Sequence, residues 1–379
     1  MNITRKIEEI CAMRLEAGKG IASAWAYNGN TIQSLGTLDS AIPYISKSVK
    51  ISQLLKDDES VTGAAFKDLP SQVGKEAPMD SFSGIVKYMD MNKMWYWMLG
   101  YEDGGSSPDD LGAGVKAHLY EMDRHERHFT TYRTDEQTAG DYSANDRKNR
   151  FATFAFKRGP NDHRFHHQLC TGFSFSSNAD DGLVMFTAKA IGPNGERGDY
   201  DSANWTFPTY LDTANYNVLH RHCTLSISSD GGETYTDLGV TSWDVNAEIP
   251  VDVKRDTESG LYPIEPVMGG FNTVSGSFVV SRHSVDTYLG LRDNLTECIL
   301  KIVASSGSYE FGLYMPSIVI NDASISEDDV PNHPISWVAG QPLVDNTFSS
   351  EFGDIDVIQN GPLAILTKNT NSTNEMRRE

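Results

Sequence analysis

Several groups of residues in this chain have the types, and in part the spacing, that chemistry needs. His125 and His128, then His163, His166 and His167, then His220, His222 and Cys223 are three clusters of metal-capable side chains. On a strand, His220 and His222 point to one side, and His166 could join them in a zinc site. No cluster has a recognised metal-ligand spacing, and Asp162 and Arg164 beside His163 suit a wet face or a polar subunit contact. "GAGVKA", Gly112 to Ala117, is formally G-x-G-x-x-A, but it follows "SSPDDL" rather than a strand, so it lacks a dinucleotide-site context. "EAGKG" lacks the earlier glycine of a phosphate loop. There is no G-x-S-x-G, no H-E-x-x-H and no nucleophile with an identifiable base. The residues predict a non-catalytic chain with no cofactor and no metal.

The sharpest local motif is "SSDGGETY", Ser228 to Tyr235, an Asp box S-x-D-x-G-x-x-W with Tyr in place of Trp. Such a box occurs in sialidases and other β-propellers, which raises a glycosidase or sugar-binding reading. Physically it is a hairpin turn: Asp230 accepts from backbone amides, the glycines permit positive φ, and the aromatic packs beneath. A propeller should repeat it blade by blade, and here it occurs once. The structural reading is therefore preferred.

Charge narrows the partners. A formal charge of −20 over 379 residues argues against tight phosphate binding, which needs clustered Lys and Arg. The acidic groups Asp57-Asp58-Glu59, Asp109-Asp110, Asp180-Asp181 and Glu327-Asp328-Asp329 read as solvated loops. Four cysteines, Cys11, Cys170, Cys223 and Cys298, form no CxxC and suit a reducing compartment. The N-terminal stretch has no apolar region long enough for secretion, and no run elsewhere is long enough to span a bilayer.

The elements that position these residues are written twice. "SGIVKYMDMNKMWYWMLG", Ser83 to Gly100, reads as a strand over Ile85 to Tyr88, then a cap at Asp90, then a helix. Met91, Met94, Trp95, Met98 and Leu99 form its buried face, and Gly100 ends it. "SGSFVVSRHSVDTYLG", Ser275 to Gly290, repeats the order with Ser284 as cap, Val285, Tyr288 and Leu289 as face, and Gly290 as stop. Successive helical residues are 100° apart, so Tyr96 and Trp97 fall to the sides or outside and are candidates for a subunit interface. Upstream of each Ser-Gly, at equal distance, a strand-like segment begins, at Ser48 and at Val240. Each is followed by a polar loop containing Gly and Pro. Downstream, alternating strands close each copy, at "CTGFSFSSNADDGLVMFTAKAIGP" and "YMPSIVINDASISEDDVPNHPISWVAGQP".

Short apolar or alternating runs with frequent turn residues predict a mainly β chain: two tandem β-sandwich or barrel units, each with one short α-helix. The first unit is expected over 1–195 with an insertion around 101–160, and the second over 205–342. The Gly- and Asp-rich Ile191 to Ser202 is expected as the boundary, and 343–379 as a C-terminal arm that frays at its polar end.

This order of features resembles that of bacteriophage tail tube proteins, the major tail proteins of long-tailed phages. The segments "RLEAGKGIA", "KSVKISQLLKDDESVTG", Ser83 to Gly100 and "TGFSFSSNADDGLVMFTAKAIG" carry the likeness. It covers most of residues 10–193 and, more faintly, 205–342. One tube unit needs only about half this chain, so the resemblance implies two fused units of tail-tube type with an insertion in the first.

The resemblance also implies a virion protein that pairs with copies of itself in rings, usually of six units, so that three fused chains make a pseudo-sixfold ring. Stacked rings would conduct DNA through an acidic lumen without specific binding, alongside other tail proteins and away from membranes. Assembly in the host cytoplasm is expected. The loops at 56–80 and 252–272 are the expected stacking contacts, with Asp57, Asp58, Glu59, Phe66, Pro70, Tyr262 and Pro263 as candidates beside Tyr96 and Trp97. The rival expectations are a tail-associated glycan-binding or glycan-cleaving protein, and a baseplate or decoration protein on the same β unit.

Overall fold

A computed structural model gives the fold. It describes residues 9–15, 40–42, 44–50, 52–56, 71–89, 91–102, 109–111, 114–122, 151–158, 161–199, 216–253, 267–280, 285–323, 333–340, 346–347, 357–358 and 361–370. The chain is mainly β, and most of its strands join one large antiparallel sheet.

In chain order the first strands are β1 (Glu9–Leu15), β2 (Ser40–Ala41), β3 (Ser46–Val49), β4 (Ser52–Lys56), β5 (Ser71–Glu76) and β6 (Met79–Ile85). Helix α1 (Asn92–Leu99) precedes β7 (Gly100–Glu102), β8 (Asp109–Asp110) and β9 (Lys116–Met122). Then come β10 (Phe151–Arg158), β11 (Asn161–Asn178), β12 (Val184–Ile191) and β13 (Asn194–Asp199). The later strands are β14 (Cys223–Ser228), β15 (Thr236–Leu238), β16 (Val240–Glu248), β17 (Val251–Asp252), β18 (Val267–Met268) and β19 (Thr273–Val280). Helix α2 (Val285–Asp293) is followed by β20 (Glu297–Ser306), β21 (Tyr309–Ala323) and β22 (His333–Ala339). The short β23 (Asn346–Thr347) and β24 (Val357–Ile358) pair together, and β25 (Ala364–Asn369) is last.

One pairing order occurs twice. The early strands lie side by side as β2–β1–β10–β11–β12–β6–β3. The later ones lie as β15–β14–β20–β21–β22–β19–β16. Every pairing is antiparallel. Each set leaves one hairpin out of the main sheet at the same point in chain order, β4–β5 in the first and β17–β18 in the second. Each then sets its helix after the strand carrying Ser-Gly, α1 after β6 and α2 after β19.

Alternation explains which face is buried. Phe82 and Gly84 on β6, and Val274, Gly276, Phe278 and Val280 on β19, point inward while their neighbours are more exposed. Although β6 and β10 do not pair, Phe82 meets Phe154 and Phe156 at centroid distances of 5.6 and 6.1 Å. The sheet therefore folds back over an aromatic core. In the second copy the Ser-Gly glycine has a packing reason: a Cβ on Gly276 would lie 2.5 Å from the Trp337 ring and 2.2 Å from the Asp244 carbonyl oxygen.

Several expected boundaries move. The strand before α1 is Met79–Ile85 rather than Ile85 to Tyr88, and Lys87 lies beyond it in an isolated bridge to Asn217. The N-cap is Met91, with no side-chain cap bond, and Asp90 lies outside the described residues. Gly100 does end α1: it is left-handed, with φ 97°, and its N–H donates to the Tyr96 carbonyl. Gly290 does not end α2, which runs to Asp293 and closes where Leu295 turns to φ 50°; the cap expected at Ser284 lies outside the described residues. The insertion cannot extend to 160, because β10 pairs with both β1 and β11 and belongs to the repeated frame. The expected boundary segment contains a strand instead, since Asn194–Asp199 pairs with Asn161–His166. The C-terminal region also contributes to the sheet. β25 is buried between β21 and β9, and its Ala364 and Ile365 are fully enclosed.

Candidate assembly surfaces

The two copies meet along a strand seam. One edge of the long β11 is shared: β10 occupies it from Asn161 to Leu169, and β16 from Gly172 to Asn178. The opposite edge carries β13 and then β12. At the seam Ser174 lies opposite Asn246, Phe173 opposite Ala247 and Phe175 opposite Val245. Ile249 N–H donates to the Thr171 carbonyl at 3.0 Å, and Ala179 N–H to the Thr241 carbonyl at 2.9 Å, extending the ladder at both ends.

Helix α1 fills the angle beside this seam. Its Trp95 packs on Phe175 at 5.6 Å and on Phe311 of β21 at 5.4 Å, so one indole touches both copies. Asn369 Nδ2 of β25 donates to Asn92 Oδ1 at 3.0 Å. All eight helical residues are buried as a result. This corrects the expectation for Tyr96 and Trp97, which are interior rather than outward-facing. Trp97 Nε1–H donates to the Gln168 carbonyl at 2.8 Å, and its ring meets Phe154 at 4.9 Å. The 100° periodicity places them off the main apolar face, but a helix enclosed on every side has no outer face. Neither side chain is available to a second subunit.

The other interface candidates, Asp57, Asp58, Glu59, Phe66 and Pro70, and Tyr262 and Pro263, lie outside the described residues, in the links of the β4–β5 and β17–β18 hairpins. Two large apolar side chains on or near these hairpins reach solvent. Leu55 on β4 is exposed, and Phe271, just beyond β18, is 91% exposed. The sequence signal that could have found Phe271 is an aromatic directly after Gly269-Gly270, in a loop rather than in an alternating strand.

The chemistry-bearing groups are engaged with their neighbours. Ser228 Oγ–H donates to Asp230 Oδ1 at 2.6 Å, while the N–H groups of Gly232 and Thr234 donate to Ser228 Oγ and Asp230 Oδ1 at 3.0 Å each. Those hydroxyl and amide donors, Ser228 first and Thr234 next, hold the Asp230 carboxyl well below the usual carboxylate range. The box closes the β14–β15 hairpin, with Tyr235 beneath the Lys301 ammonium at 4.0 Å.

His220 and His222 sit in a single 3-10 turn rather than on a strand, and their rings part company. His220 Nδ1 lies 2.9 Å from Ser177 Oγ, and His222 Nδ1 lies 3.1 Å from the Tyr88 hydroxyl. Burial pushes the Cys223 thiol up to about 12 and the Cys298 thiol up to about 11, which opposes nucleophilic use. Among the described residues no group of three or more His, Cys, Asp or Glu could hold a metal ion. No described helix is long and apolar enough to cross a membrane.

No protein-family model matches the chain, and no curated protein matches it.

Proposed function

We propose that this chain is a non-enzymatic structural virion protein: two fused units of tail-tube type that assemble as rings and stack into the conduit for DNA ejection. The observation that carries the reading is the pairing order repeated over seven strands, with a detached hairpin at the same place in each copy. A conduit needs units joined edge to edge around a hole and a second set of contacts along the axis. Here the sheets of the two copies already join edge to edge. The hairpins form two-stranded sheets of their own, and Leu55 on β4 and Phe271 between β18 and β19 are exposed, as axial contacts would require.

Three chains would supply six units. A net charge of −20 suits a wall that repels DNA rather than holding it. The residues resembling tail tube segments support the same reading, which places the protein in the virion tail with copies of itself and other tail proteins as partners. Electron microscopy of the concentrated protein tests it. Rings or tubes with a central hole about the width of duplex DNA are expected. Compact monomers at every concentration refute it, and trimers that never stack favour a baseplate or decoration role.

A further inference from the structure

One face of the sheet runs across both copies. β3, β6, β12, β11, β16, β19, β22 and β21 lie side by side in that order, joined at the β11–β16 seam. Directly opposed residues of neighbouring strands share a face, so the registers write rows across it. One row is Ser46, Ser83, Thr187, Ser174, Asn246 and Ser275. The other, two residues away along the strands, is Met185, Ser176, Asp244, Ser277, Ser336 and Asp322. None of these twelve residues is buried. The row between them, Phe186, Phe175, Val245, Gly276, Trp337 and Ile320, is buried and faces the core. Across that core β10 is buried on both faces from Ala152 to Phe156, so it offers no comparable surface.

The chemistry of the open rows is narrow. They carry hydroxyls, one amide and the carboxylates of Asp244 and Asp322, with Ile85, Met185 and Val338 as their apolar members. Neither row contains a lysine, an arginine or an aromatic ring. Asp244 is engaged within the face: Ser277 Oγ–H donates to its Oδ1, and Asn246 Nδ2 donates to its Oδ2 at 2.6 Å. Lys189 stands just beyond the first row, opposite Gly172, and Glu248 opposes Gly172 from the other side. That cation is therefore offset by an acid two strands away. A surface that held DNA would present clustered Lys and Arg to its phosphates. This one presents short neutral donors and a slight excess of carboxylates.

We propose that this face is the wall of the bore, and that its partner is duplex DNA in transit, which slides past hydroxyls and weakly repelling carboxylates without being held. This rests on the ring reading above and assigns the surface that meets the DNA. Eight strands about 4.8 Å apart make a face about 38 Å wide, so three chains supply about 115 Å of wall. Set round an axis, that wall encloses a bore about 37 Å across at the backbone. Side chains reaching about 5 Å inward leave about 27 Å free, which admits a duplex. The equivalent places of Ser46 and Asn246, opposite Ser83 and Ser275, give the two copies the same surface toward the axis.

Thiol labelling of the full chain, before and after tube formation, tests the wall. Ser46 and Asn246 are exposed, and the chain's own Cys11, Cys170, Cys223 and Cys298 are buried or half-buried, so the parent gives the background. Ser46→Cys and Asn246→Cys should each react with a small maleimide in both states. Both should lose reaction with a maleimide carried on a folded protein once tubes form. If the carrier still labels the tubes, the face lies outside; if both reagents fail on tubes, it lies between subunits. Either result overturns the wall and leaves the ring reading standing. Failure to assemble at any concentration overturns both.

Discussion

Trp95 of α1 lies 5.4 Å from Phe311 of β21, ring centroid to ring centroid, and the two residues belong to different copies of the repeated strand order. Phe175 stands 5.6 Å from Trp95 and 5.8 Å from Phe311, completing a trio of aromatics across the junction. The copies are therefore joined through a packed core as well as a backbone ladder. Cutting Trp95 back to alanine should cost about 3–5 kcal/mol, as large buried aromatics do, and should lower the urea midpoint of the whole chain in one transition. An unchanged midpoint would show that the junction contributes nothing to folding.

The second Ser-Gly gives a contrasting prediction. Gly276→Ala places a methyl within 2.5 Å of Trp337 and 2.2 Å of a backbone oxygen, so overpacking should cost about 1–3 kcal/mol. Gly290→Ala, on α2 with nothing within 4 Å of the added atom, should instead be neutral or slightly stabilising because it removes a helical glycine. The melting temperature should fall for Gly276→Ala and stay level or rise for Gly290→Ala. Equal shifts would contradict the packing reason assigned to Gly276.

How much of this could be read from the sequence depends on the range of the interaction that decides it. Strand character and the existence of both helices follow from local alternation and periodicity, and Gly100 ends α1 as its spacing predicts. The limits that moved were set by distant partners. Asn194–Asp199 is rich in Gly and charge, yet it is a strand because β11 extends far enough to pair with it. Thr367 and Asn369 read as the start of a polar tail, yet they are buried beside β9. Tyr96 and Trp97 are interior for the same reason: distant strands enclose the helix, and Trp97 meets Phe154 of β10 and the Gln168 carbonyl of β11. The loops expected at 56–80 and 252–272 instead contain the strands Ser71–Glu76 and Val267–Met268, which pair back on β4 and β17.

The proposed stacking predicts that the β4–β5 hairpin separates assembly from folding. It forms a two-stranded sheet of its own, so replacing residues 57–70 with a short Gly-Ser linker should leave the melting temperature within a few degrees of the parent and abolish tube growth. Normal-length tubes from this variant would show that the hairpin link does not hold one ring to the next.

His222 sets a pH dependence. Burial, and then the neighbouring Arg221 charge, hold its pKa below the ordinary histidine value. The folded chain therefore resists a proton that the unfolded chain accepts. The stability from this group is fully present above about pH 6.5 and is lost as pH falls through the lower folded value. Replacing His222 with Gln should flatten the decline in melting temperature as pH falls below about 6.5. An unaltered slope would assign the decline to other groups.

The central claim is that three chains contribute six equivalent units around a hole, and cryo-electron microscopy of assembled protein tests it most directly. Rings or stacked rings are expected whose cross-section shows six similar lobes from three chains, surrounding a lumen wide enough for duplex DNA. Rings in which the two halves of each chain occupy unlike radial positions, or particles with no lumen, would contradict it.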